Sequence, residues 1–263
     1  MVTRRAQRSY CQIAARRLQF QVRAEERRKE SELKIKAISF DCYGTLIDWE
    51  SGIAEELSAW ARRCDKQLDR AELLAAFGDA ESRVQSAHPE MAYPDVLAEV
   101  ARRIGRRFDL PVTDADAASF GASIARWPPF PDTTSALSRL RQRYRLAVLS
   151  NIDCKSFAAT REALGVEFDL VCTAEEIGSY KPDPRNFRFL LARLAELGIE
   201  QGELLHAAQS LFHDIEPARA MGIRTAWVDR YAGAASGAAR APQGRIEADI
   251  RVSSLDELVE SLL

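Results

Sequence analysis

Long apolar runs are missing from this 263-residue chain: no segment approaches the ~18 uninterrupted apolar residues of a membrane span. Charge of one sign is missing too. Lys plus Arg number 37 against 39 Asp plus Glu, giving a net charge of −2 and a pI near 6.0, so the chain as a whole carries no nucleic-acid footprint. Cysteine is sparse and odd in number (five: 11, 42, 64, 154 and 172), with no C-x-x-C pair, which disfavours a zinc site and suits a reducing, cytoplasmic setting. Internal repeats are not apparent. What is present, 46% hydrophobic and 29% charged residues, is the composition of a globular protein with ample material for a core.

One imbalance is local. Before Glu25 there are six arginines (4, 5, 8, 16, 17, 23) and no acid. No apolar core of 7–15 residues follows, so a secretory signal is disfavoured. An amphipathic transit peptide or a basic binding arm fits the composition, but the preferred reading of 1–34 is a basic, poorly ordered N-terminal extension.

The remainder alternates in period. Residues 35–40 read as a short strand ending at Asp41, and Gly44 permits a sharp turn in which Thr45 can hydrogen-bond. Residues 50–128 are helical almost throughout, with apolar positions at Ile53, Leu57 and Trp60, at Leu73, Leu74 and Phe77, and at Val96, Leu97, Val100 and Ile104. Breaks are expected at Cys64–Leu68, His88-Pro89, Tyr93-Pro94 and Leu110-Pro111, and the stiff Trp127–Pro131 reads as a return hinge. From Asp132 strands and helices alternate. Helices are expected over 133–144, 157–164, 186–197, 216–221 and 255–262; strands over 146–149, 170–173, 204–208, 224–228 and 249–252; and an Ala/Gly-rich loop over 232–244. Strands spaced by helices of this length imply parallel βαβ units.

Four short stretches are candidates for chemistry: Phe40-Asp41-Cys42-Tyr43-Gly44-Thr45-Leu46, Leu149-Ser150-Asn151, Tyr180-Lys181-Pro182-Asp183-Pro184, and Ser210-Leu211-Phe212-His213-Asp214. Taken singly, each has a plain reading: a capping Asp, a polar turn, a solvated Lys. In this order they resemble the four motifs of the haloacid dehalogenase (HAD) superfamily, and most closely the type II L-2-haloacid dehalogenases, over about residues 35–260. The resemblance implies an α/β fold: a Rossmann-like, doubly wound parallel sheet (35–49 and 129–263) with an inserted all-helical cap (50–128). It implies a hydrolase in which Asp41 is the nucleophile, Lys181 its counter-charge and Asp214 a further acid. Tyr43, Thr45, Ser150, Asn151 and Gln209 are the expected substrate-binding residues, with Ser150 holding the substrate carboxylate.

Two departures separate the readings within this superfamily. Its phosphatases carry a second Asp two places after the nucleophile, as general acid for the leaving alcohol; here that position is Tyr43. A halide needs no proton, whereas a phosphate ester deprived of the acid should lose about 10²–10⁴ in rate. Magnesium-dependent members place an acid five residues before the motif-four Asp, and here Gln209 stands there. The expectation is therefore a metal-free, cofactor-free 2-haloacid dehalogenase acting on a small molecule, with no nucleic-acid or membrane partner and a homodimer left open. The alternatives are a magnesium-dependent phosphatase and a weakened HAD-fold binding protein. The dehalogenases grip halide with a cap arginine. In the corresponding region, Phe77–Ala80, the nearest basic residue is Arg83.

Overall fold

A computed structural model describes residues 35–231 and 246–263; the basic stretch 1–34 and the Ala/Gly-rich segment 232–244 lie outside the described residues. Six strands form one parallel sheet: β1 (Ala37–Phe40), β2 (Arg145–Ser150), β3 (Leu170–Thr173), β4 (Leu204–Ala208), β5 (Arg224–Val228) and β6 (Ile250–Val252). Their order is β3-β2-β1-β4-β5-β6, so the chain reverses its direction of progress at β1. In such a sheet the crevice beyond the carboxyl ends of the strands at the reversal is the natural ligand site. β1 and β4 are buried along their whole length, as expected of central strands covered on both faces.

One large layer of the core packs β2 and β3 against α8 (Pro184–Glu196), with Ala147, Leu149, Cys172, Phe187, Leu190 and Leu194 interdigitating. Between β1 and β2 the chain makes four helices: α1 (Trp49–Arg63), α2 (Arg70–Ala87), α3 (Tyr93–Phe108) and α4 (Asp114–Gly121), followed by a 3₁₀ segment (Ala122–Arg126). These elements form an all-helical insertion between the first two strands of the sheet. Side-chain caps set its boundaries: Asp48 accepts from Ser51 N, Asp69 from Glu72 N, and Thr113 and Asp116 form a reciprocal capping box. Gly52 on α1 lies flat against Trp127; a Cβ there would sit 2.3 Å from the indole. The two passages between insertion and sheet run side by side. Asp48 N donates to Pro128 O, Phe130 N donates to Leu46 O, and Ile47 faces Pro129 in an antiparallel bridge.

The remaining helices are α5 (Thr133–Leu140), α6 (Cys154–Leu164), α7 (Ala174–Ile177), α9 (Glu216–Ala220) and α10 (Leu255–Leu262). Four boundaries stand out against expectation. The helix after Asp132 ends at Leu140 rather than Tyr144, because the chain tightens into turns and Arg145 joins the sheet beside Ala37. α6 and α8 begin earlier than expected, at Cys154 and Pro184, because Asp153 and Asp183 accept the first free amides. Pro94, read as a break, starts α3 instead, since a proline in the first turn sacrifices no helical hydrogen bond. Among the described residues no helix is long and apolar enough to cross a membrane.

Candidate active site

Asp41 follows the last residue of β1, and its amide still donates to Ala207 O on β4. The chain then folds back on itself: Leu46 N and Ile47 N both donate to Cys42 O, and Gly44 N donates to Ile47 O. Gly44 sits at φ +97°, a conformation that side chains with a Cβ avoid. Thr45, carried by this turn, is buried beneath the pocket. Its Oγ1 donates to Asp41 Oδ2 at 2.8 Å and accepts from Gln209 N at 2.9 Å.

Lys181 enters from the loop between α7 and α8, at a cis Lys181–Pro182 bond. Its ammonium uses all three protons: Asp41 Oδ1 at 2.8 Å, Asp214 Oδ1 at 2.7 Å and Leu149 O at 2.9 Å. Asp214 comes from the π-turn Leu211–Ile215 after β4. A residue that sequence reasoning passed over completes this cluster. His206 on β4 is fully buried, with Nε2 3.0 Å from Asp214 Oδ1 and Nδ1 2.8 Å from Ser39 Oγ. Both contacts are satisfied when Ser39 donates to Nδ1 and Nε2–H donates to the carboxylate. Its one sequence signal was a histidine in an otherwise apolar strand, which by itself is usually core.

One ammonium thus serves two buried carboxylates, and the three groups respond differently. Burial works against charged Lys181, but Asp214 and Asp41 outweigh it and raise its pKa. Burial would raise Asp214 too, yet Lys181 and His206 hold it below the usual carboxylate range. Asp41 ends above its ordinary value, because burial and the charge on Asp214 exceed what Lys181 and Thr45 give back. Asp214 Oδ2 and the buried Ser150 Oγ have no hydrogen-bond partner among the described residues. An orphaned buried polar atom is costly unless a ligand or water completes it.

These groups open on a pocket of about 80 Å³, lined on the sheet side by Asp41, Ser150, Lys181 and Asp214. Tyr43, Asn151 and Gln209 line it as well, so seven of the eight expected residues meet there, with Thr45 just below. Their side chains are not equally available, however. Tyr43 turns its hydroxyl to Thr160 Oγ1, 2.8 Å away, and sets its ring edge-on to Trp127; burial pushes its phenol well above the ordinary value. Asn151 spends both ends of its amide on the backbone of Lys181, accepting from Lys181 N at 2.6 Å and donating to Lys181 O at 3.1 Å. It clamps the lysine rather than presenting its amide to a ligand. The helical insertion supplies the opposite wall with Glu81, Gln85 and Tyr93, and Trp49 at the start of α1 adds to it. Arg83 is absent from the lining: it projects outward and pairs with Asp79 at 3.1 Å.

The donor set fits a magnesium ion poorly. A hard dication wants several carboxylate oxygens. Here the Oδ1 atoms of Asp41 and Asp214 already bracket an ammonium, Gln209 is neutral, and among the described residues no three His, Cys, Asp or Glu are grouped to hold a metal.

Comparison with known proteins agrees with this geometry. The model of the haloacid dehalogenase-like hydrolase family matches residues 35–222, and the chain belongs to that family of hydrolases. Among its relatives, haloacetate dehalogenase H-2 of Moraxella sp. (strain B) is 29% identical over 213 residues, covering 75% of this chain and 87% of that protein. The (S)-2-haloacid dehalogenase of Pseudomonas sp. (strain YL) is 29% identical over 209 residues, covering 74% and 83%. A solved L-2-haloacid dehalogenase superposes with a TM-score of 0.69 at 26% identity, covering 87% of this chain and 98% of that one.

Proposed function

We propose that the protein is a 2-haloacid dehalogenase that converts a short 2-haloalkanoic acid to the 2-hydroxy acid through an ester on Asp41. The observation that carries this reading is the state of the two groups nearest the reacting centre. Asp41 is a carboxylate neutralised by Lys181, and the residue two places on, Tyr43, has its hydroxyl turned away to Thr160. A leaving group that needs no proton suits that arrangement. The small pocket suits a substrate of few heavy atoms, and the free Ser150 hydroxyl suits its carboxylate. Four described cysteines are unpaired, in keeping with a cytoplasmic setting.

In the first step Asp41 attacks C2, the carbon–halogen bond breaks with inversion, and the electron pair leaves on the halide. In the second, water adds to the Asp41 ester carbonyl. Asp214, whose Oδ2 has no hydrogen-bond partner among the described residues, accepts its proton, and Lys181 balances the charge that develops. Collapse releases the hydroxy acid and restores the carboxylate.

The test is halide release from a panel of 2-haloacids, with and without chelator, followed by a single turnover in ¹⁸O-water. Chelator should leave the rate unchanged. Solvent oxygen should enter Asp41 rather than the first-turnover product, because the product's new oxygen comes from the carboxylate. Magnesium-dependent phosphate release without halide release would overturn the reading in favour of a phosphatase.

A further inference from the structure

An in-line displacement sends the leaving group away from the nucleophile. With Asp41 on the sheet side, a departing halide faces the wall built by Trp49, Glu81, Gln85 and Tyr93. An anion arriving there needs a cation or a hydrogen-bond donor. Among the described residues this wall has no Lys or Arg, and Arg83, on the same helix, is engaged outside with Asp79. Glu81 and Gln85, four residues apart on α2, share one face of the helix. Tyr93 donates its hydroxyl to Glu81 Oε1, which leaves Oε2 to carry a proton.

Resting on the dehalogenase reading above, we propose that Glu81 acts as a neutral carboxylic acid whose O–H receives the departing halide, in the place where a positive side chain would otherwise be needed. The Asp41 oxygen–carbon bond forms, the carbon–halogen bond breaks, and the electron pair goes to the halide. The proton stays on Glu81, because a carboxylic acid is a far weaker acid than a hydrogen halide. Burial pushes Glu81 up to about 7, with the Tyr93 hydrogen bond pulling the other way. The titratable groups facing it are Tyr93 on α3, Tyr180 beside Lys181, and, across the pocket, Tyr43, Asp41, Lys181, Asp214 and His213. Once ionised, Glu81 would confront both the substrate carboxylate and the leaving halide with a like charge. Protonation of Glu81 therefore sets an alkaline limit on turnover.

The experiment is the pH profile of kcat/KM for halide release from 2-chloropropionate and 2-bromopropionate by the full chain. The wild-type rate should fall about tenfold per pH unit above roughly 7. Glu81→Gln can still donate an N–H but cannot ionise. It should lose about threefold to tenfold at pH 6 and then stay flat to pH 9. Glu81→Ala should lose about 10–10²-fold, and more on chloride than on bromide. A wild-type profile flat to pH 9, or an alkaline fall retained in Glu81→Gln, overturns the proposal. Halide binding is checked apart from turnover by ³⁵Cl NMR with inorganic chloride. Line broadening at pH 5.5 that disappears at pH 8.5 in wild type, and is independent of pH in Glu81→Gln, supports the role; broadening equal at both pH values, or none, removes it. Failure of the dehalogenase reading itself would look different, with no halide released from any haloacid at any pH.

Discussion

The two walls that face each other across the pocket differ in charge and in how their side chains are held. On the sheet side Asp41, Lys181, Asp214 and His206 are buried, and each is fixed by at least two named partners from separate strands or loops. On the helical side Trp49, Glu81, Gln85 and Tyr93 carry no fixed cation, and Glu81 has its hydroxyl partner within the same insertion. A reaction centre must hold its geometry to a fraction of an ångström, which buried side chains each held by two partners provide. On the proposed reading, recognition of the substrate's variable end, which tolerates more freedom, falls to the helical wall.

The largest effect should come from the sheet side. Asp41→Asn is expected to lower turnover about 10⁴-fold, since an amide is a poor nucleophile. It should also leave the protein at least as stable as wild type at pH 7. The folded pKa of Asp41 is raised, so its ionised form costs stability above the ordinary carboxylate value, and the variant's advantage should shrink as pH falls toward that value. Denaturant titrations at pH 4 and pH 7 check the sign; a variant markedly less stable at pH 7 would mean that Asp41 is a structural anchor as well.

Lys181→Met comes next. It leaves Asp41 and Asp214 facing each other without a counter-charge, and a loss of about 3–5 kcal/mol is expected in urea unfolding, together with loss of activity. A loss below ~1 kcal/mol would show the cluster to be far better hydrated than its burial implies. The smallest effect should be that of Arg83→Ala on the helical side. Its pair with Asp79 is exposed and within one helix, so stability should change by less than about 0.5 kcal/mol and halide release should not change. A substantial drop in halide release would bring an arginine back to the pocket and blur the contrast between the walls.

The sheet and its site were legible in the sequence for different reasons. β3, β4 and β5 and the last helix fall at their expected residues, because short apolar runs bounded by Gly, Pro or capping residues leave little choice. Asp41, Lys181 and Asp214 were found through the order of four motifs rather than from any residue alone. What stayed hidden depends on contacts between distant segments. That Asn151 clamps a backbone 30 residues away, that Tyr43 turns toward Thr160, and that His206 links Ser39 to Asp214 all follow from strand order. Glu81 was invisible for another reason. It is one of 39 acidic residues in the chain with nothing in its local sequence to mark it, and only the packing of α2 over the sheet brings it to the pocket.

The paired passages at Leu46–Asp48 and Pro128–Phe130 bear on how such a protein changes over evolutionary time. The insertion leaves and rejoins the sheet at hydrogen-bonded neighbours. Arg230 braces the junction by donating to Thr45 O and to both oxygens of Asp132 while stacking on Phe130. The splice is therefore closed by the core itself, so the junction does not fix the length of what is spliced. A lineage can lengthen, repack or exchange the helices between these points, and so redraw the substrate wall, while the strand order and the Asp41–Lys181–Asp214 cluster stay as they are.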